Sequence, residues 1–338
     1  MIFVTIILRC ALFITGLLLM LSAGWLWWAR QAPPSATWLV YETVREGQRE
    51  IARVNIDGTG LRMLSPHPAN DFSPVPSPDG QWIAFVSERG GDPDIYRAPV
   101  DGGAIENLTD FFLGDWHPDW SPDGRHIVLT GYYQSNHAEL YRLALDGPPS
   151  IPIRMTNNPA SDYSAAWSPD GVWLAFTSMR NQNVDLYLIP AEPPPPGVGL
   201  PPAPRRLTEH PGDDFTPVWS PDGEWLAFAS YRDDGLHIYR MRPEDGEASV
   251  QRLTHGSSIN MQPAWSPDGA WLAFTSRRSG AWDLYRMRPD GRDVQRITHD
   301  IYEDKKPRWA PPRDEPYRLG WHILSGGLLL LLGLVWRR

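Results

Sequence analysis

Apolar residues in this chain come in short runs that end on a hydroxyl side chain: Trp-Ile-Ala-Phe-Val-Ser at 82–87, His-Ile-Val-Leu-Thr at 126–130, Trp-Leu-Ala-Phe-Thr-Ser at 173–178, and close copies at 225–230 and 271–276. Runs this short, rich in β-branched and aromatic side chains, predict strands buried on both faces. Each is preceded by Ser-Pro-Asp-Gly, at 77–80, 121–124, 168–171, 220–223 and 266–269, whose Pro and Gly supply the dihedrals of a tight turn. A shorter copy at 38–41 lacks the turn. A further strand is expected around Tyr96, Tyr141, Tyr187, Tyr239 and Tyr285, with Ile51-Ala52-Arg53 as its first copy. Another ends at residues 64–65, 108–109, 155–156, 207–208, 253–254 and 297–298, mostly Leu-Thr. Between these two, Asp-Gly pairs at Asp57, Asp101, Asp146, Asp245 and Asp290 predict hairpins.

The whole unit recurs about every 44 to 52 residues, within the range of a propeller blade, and four meandering strands make one blade. The strand before each turn repeats as well, for example as Pro118-Asp119-Trp120 and Pro263-Ala264-Trp265. It occurs once more, as Pro307-Arg308-Trp309, after the sixth unit. The chain's beginning lacks this strand and its end has one to spare. The expected fold class is therefore all-β: a six-bladed β-propeller over 37–311, closed by pairing of the C-terminal strand with the N-terminal blade, so that no gap is left in the ring. One unit departs from the pattern, since the stretch 189–205 replaces its hairpin with a proline-rich insertion that is not expected to join a sheet.

Composition narrows the class. Formal net charge is −9 with scattered Lys and Arg, which argues against nucleic acid as a partner. The single cysteine, Cys10, excludes an intramolecular disulfide and a Cys-based zinc site. Residues 10–28 are uninterruptedly apolar or small, about the length that crosses a bilayer as a helix. A transmembrane anchor is therefore expected at 1–30, and a second apolar segment at 319–336 is its expected partner. Trp25, Trp27, Trp28 and Trp321 would lie at the domain-facing interface.

Pro-x-Trp-Ser-Pro-Asp-Gly, then Trp-x-Ala-Phe-x-Ser, then Leu-Tyr, then Leu-Thr resembles the WD-like repeat of the TolB propeller family, in five near-intact copies. The resemblance implies six blades, a location outside the cytoplasm and contacts with a protein or peptide partner. It also favours both termini in the cytoplasm. The chain leaves no room for the separate N-terminal α/β domain of TolB, so a role in the Tol-Pal system does not follow from the resemblance. The repeat is also similar to the propeller of prolyl oligopeptidase-type enzymes, but there is no Gly-x-Ser-x-Gly elbow.

Candidate binding residues stand three positions before the inner-strand Pro: Asp71, Asp115, Asp162, Asp214, Asn260 and Asp304. Sixfold geometry would set them around one mouth of the central channel, where a carboxylate ring suits a cation or basic peptide. His67, His210, His255 and His299 recur a few residues earlier in the same loops. Both sets also have a purely structural reading, as side chains capping their own turns. No catalytic residue and no cofactor is expected. The leading expectation is a non-catalytic, membrane-tethered scaffold for a protein, peptide or glycan outside the cytoplasm. The alternative is a metal-dependent, polysaccharide lyase-like propeller enzyme using the channel-loop His and Asp.

Overall fold

The computed structural model describes residues 38–110, 114–133, 136–147, 151–193 and 203–311. Within them the strands form six four-stranded antiparallel sheets. The second blade is representative, running outward through Asp71–Pro76, Trp82–Ser87, Asp94–Pro99 and Glu106–Asn107. The first blade is composite: its inner strand is Glu303–Trp309, followed by Trp38–Arg45, Gln48–Asn55 and Arg62–Met63. Leu39 pairs with Trp309 and Val44 with Glu303, closing the ring as the spare repeat requires.

Three local devices explain why the repeated residues are needed. In each Ser-Pro-Asp-Gly turn the Ser hydroxyl accepts the N–H of the residue five positions on, as Trp82 N to Ser77 Oγ at 2.9 Å, and donates to the Asp carboxylate. The Gly sits at positive φ, between 68° and 75° in all five copies, a region in which a side chain is strained. The Leu-Thr hydroxyl continues the ladder where the outer strand is too short, accepting the N–H of Ile95, Leu140, Leu186, Ile238 or Leu284 at 2.9–3.0 Å. Indoles of the inner strands tie neighbouring blades, Trp120 Nε1 donating to Val75 O (3.1 Å), Trp219 Nε1 to Ala166 O (3.2 Å) and Trp309 Nε1 to Ala264 O (2.9 Å).

The apolar core is divided into six clusters, each spanning two adjacent blades. Leu39, Tyr41 and Trp309 of the first blade, for instance, meet Ala264, Ala273 and Leu284 of the sixth. Burial of a side chain such as Phe85, Phe176, Phe228 or Phe274 stabilises by about 1.5–3 kcal/mol each. Closing the ring thus buries the sixth cluster and completes the first blade's sheet.

The apolar segments at 1–30 and 319–336 lie outside the described residues, among which no helix is long and apolar enough to cross a membrane. The proline-rich stretch is narrower than 189–205. Ile189 and Pro190 complete the strand Asp185–Pro190 opposite Leu174 and Trp173, and Arg205 opens the outer strand. A proline at a strand's last position forfeits no interior ladder bond. Residues 194–202 lie outside the described part.

Candidate functional site

The six loop residues Asp71, Asp115, Asp162, Asp214, Asn260 and Asp304 are fully buried instead of standing at a mouth. Each stands at or next to the start of an inner strand, beneath the blade's own second-to-third-strand loop. Arg89 reaches Asp71 at 2.9 Å, Arg180 reaches Asp162 at 2.7 Å, Arg232 reaches Asp214 at 2.8 Å, and Arg278 reaches Asn260 Oδ1 at 2.8 Å. These are the arginines of the repeated Ser-x-Arg, whose Ser hydroxyl accepts from the same guanidinium, as Arg89 Nε to Ser87 Oγ at 2.8 Å. Burial raises the Asp162 and Asp214 carboxyls, and their arginines pull the other way.

Two blades lack this contact. In the third, Tyr133 donates to Asp115 at 2.5 Å. In the first, Arg45 turns to Asp300 (2.7 Å) and lies over the Tyr302 ring. Burial pushes both Asp115 and Asp304 up to about 7.

The histidines hold their own loops. His67 Nδ1 accepts Ala69 N–H at 3.1 Å and His210 Nδ1 accepts Gly212 N–H at 3.0 Å. His299 Nδ1 lies 3.3 Å from Ile297 O. His255 is exposed. Among the described residues no group of three or more His, Cys, Asp or Glu side chains could hold a metal ion.

The residues that do face the axis come two positions after each Asp or Asn. Ser73, His117, Ser164, Thr216, Gln262 and Lys306 all have φ between 51° and 56°, one in each blade. A left-handed backbone costs a residue with a side chain about 1–2 kcal/mol, so six copies mark a built feature. Each lies at a break in register between the first two strands of its blade, as between Phe72 and Val75. The next residue is Pro in five of six blades, which has no N–H to lose at the bulge. The displaced N–H groups find hydroxyls on the preceding blade, Ser164 N to Thr130 Oγ1 (3.2 Å), Thr216 N to Thr177 Oγ1 (3.3 Å) and Lys306 N to Thr275 Oγ1 (3.1 Å).

These six side chains and Arg308 line an axial cavity of about 110 Å³, room for several waters or a few side-chain atoms. Fold symmetry holds in the backbone and fails in the chemistry. Three blades contribute hydroxyls and one an amide, and the others bring imidazole and ammonium. Lys306 Nζ donates to Ser73 Oγ at 2.8 Å and pairs with Glu42 at 3.3 Å. Burial lowers both Lys306 and Arg308, opposed by Glu42 and Asp119 respectively. Burial, then Lys306 and Arg308, push the His117 imidazole down to about 3. Asp119 is pushed up to about 6 by burial, while Arg308 and the Trp167 N–H (2.9 Å) act against it.

The cavity therefore sets a lysine amine, a guanidinium and, at neutral pH, an uncharged imidazole side by side. His117 Nδ1 and Thr216 Oγ1 have no hydrogen-bond partner among the described residues, and such buried atoms favour a polar guest. In the Ser73–Lys306 contact the lysine donates to the hydroxyl, with burial acting against the ammonium and Glu42 acting for it. The position of these residues, next to an inner-strand Pro, is legible in the sequence only once the bulge is known.

Fold and site together define a six-bladed propeller with a closed ring and a polar axial cavity. The model for the TolB beta propeller domain matches residues 28–128 and 202–315, and the chain belongs to that family. It is 37% identical over 102 residues to an uncharacterised protein of Agrobacterium fabrum, covering 30% of this chain and 31% of that one. It is 33% identical over 104 residues to the Tol-Pal system protein TolB of Desulfosudis oleivorans, covering 29% and 19%. The chain thus matches less than a third of the length of either curated relative. The crystal structure of TolB from Acinetobacter baumannii superposes with a TM-score of 0.70 at 24% identity, over 82% of this chain and 68% of that one, a likeness of fold.

Proposed function

We propose that this protein is a non-catalytic binding propeller that holds a peptide segment of a protein partner at its axial cavity, outside the cytoplasm. The observation that carries this reading is the broken symmetry of the bulge ring. Positions equivalent in backbone carry Lys306 and His117 on some blades and Ser or Thr on others, with polar atoms left for a guest. A peptide carboxylate or side-chain acid satisfies Lys306, Arg308 and His117 together, and a peptide is thin enough to enter where a folded partner is not.

The tether belongs to the same proposal. Ala310 N donates to Trp38 O at 3.0 Å, so both ends of the propeller leave from one edge of one blade. Two membrane segments, at 1–30 and 319–336, would then hold the propeller close against the bilayer with both termini in the cytoplasm.

The test is photo-crosslinking in native membranes with a benzophenone amino acid at Thr216, which faces the cavity. An adduct with a protein is expected, strongly reduced in Lys306→Gln and Arg308→Gln. No adduct, or one indifferent to both substitutions, would sink the proposal. Digestion of the propeller by a protease added outside spheroplasts checks the orientation.

A further inference from the structure

The opposite end of each blade, where the Ser-Pro-Asp-Gly turns lie, carries a second repeated arrangement, and one blade breaks it. The first residue after each turn's loop is a tryptophan in most blades, and an arginine of the third strand lies over its ring. Arg97 covers Trp82 at 4.7 Å, Arg240 covers Trp225 at 4.0 Å, Arg286 covers Trp271 at 4.4 Å and Arg53 covers Trp38 at 5.4 Å. In the third blade the ring is His126, and Arg142 still reaches it at 3.2 Å. A guanidinium stacked on an indole is a favourable cation–π pair, so the indole face is occupied from within the chain.

The fourth blade has Leu188 where the others have arginine, and Leu188 is buried in the core. Among the described residues no cation lies over Trp173, which is 38% exposed while its counterparts are part-buried. Beside it opens a cavity of about 590 Å³ between the fourth and fifth blades. Its far wall carries Glu224, Glu244 and Asp245, none of which makes an ion pair among the described residues. Arg205 and Arg242 are the cations on its rim.

We infer that this cavity receives an arginine side chain from an extended segment of a protein partner, the guanidinium stacking on Trp173 and pairing with the carboxylates of Glu224 and Glu244. The occupant is specified by the repeat itself, because five other blades supply a guanidinium at the equivalent place from their own third strand. Net negative lining and an indole face that no described cation covers favour a cation over any anionic or apolar guest. A planar guanidinium suits both contacts at once, which an ammonium does not. This site is separate from the axial cavity, and its test reads Trp173 and not Lys306, so either reading can fail alone.

The experiment uses the full-length chain in detergent micelles, labelled with 5-fluorotryptophan, with the Trp173 resonance assigned by its loss in Trp173→Phe. The probe is N-acetyl-arginine methylamide, with the uncharged citrulline counterpart as control. A saturable shift of the Trp173 resonance is expected with the arginine probe, at least tenfold weaker with citrulline and several-fold weaker in Glu224→Gln/Glu244→Gln. Leu188→Arg restores the residue the other blades carry. It should displace the Trp173 resonance without probe and abolish the response. Because that variant places a long side chain at a buried position, the surface variant Glu224→Gln/Glu244→Gln keeps the test decisive should it misfold. No saturable shift, an equal response to citrulline, or an undiminished response in the Glu variant would each overturn the inference.

Discussion

Replacing Asp304 by Asn isolates the cost of a buried carboxyl that has lost its arginine. Asp304 is fully buried and pushed up to about 7, chiefly by burial, with Asp300 adding to the effect. In an unfolded chain an Asp titrates near 3.9. Across the window from about 4 to about 7 the folded protein keeps a proton that the unfolded chain releases, so stability falls as pH rises through the window and levels off above it. A window of that width is worth about 4 kcal/mol at most.

The sixth blade already carries the neutral version, Asn260, which accepts from Ser276 Oγ at 2.8 Å. Asp304→Asn should therefore raise the melting temperature at pH 8 by several degrees and leave it little changed at pH 4.5, as read by circular dichroism of the full-length chain in micelles. Asp214→Asn is the control in which an ion pair is lost, because it removes the buried carboxylate facing Arg232 and leaves that guanidinium only Glu247, and it should give no gain at pH 8. Parallel melting curves for wild type and Asp304→Asn between pH 5 and 8 would refute the reasoning. So would stabilisation by both substitutions alike.

Other outcomes follow from the same geometry. Thr208→Val keeps the volume but orphans the Leu186 N–H that the hydroxyl accepts at 3.0 Å, and should cost about 1–3 kcal/mol in a urea titration. Trp309→Ala removes the indole that joins the closing strand to the sixth blade, for about 3–5 kcal/mol. Hydrogen exchange should then show the amides of Trp38–Arg45 losing protection while those of Leu226–Ser230 keep theirs.

Much of the architecture is legible in the residues because each repeated one does a job within its own blade. The Ser of Ser-Pro-Asp-Gly, the Thr of Leu-Thr and the spare Pro-Arg-Trp each satisfy a local requirement, and six copies add up to a ring. The axial cavity is less legible. Sixfold geometry selects the Asp ring for a channel mouth, but the bulge at Ser73 turns the later residue to the axis, and the Asp is folded under its own blade's loop. A positive φ at Ser, His, Thr, Gln or Lys has no signature in residue type, unlike one at Gly. Trp173 is visible in the sequence only as Leu188 in a column of arginines, a departure that gains meaning once no cation among the described residues is seen over its ring.

The seam of the first blade also decides how the ring answers a pull. Trp38 begins one strand and Trp309 ends its antiparallel neighbour, so the chain enters and leaves at the same end of a single ladder. Tension applied between the two ends loads those hydrogen bonds one after another, as in opening a zip, and not all together as in shear. The other five blades, each continuous in sequence, carry no such load until the seam has parted.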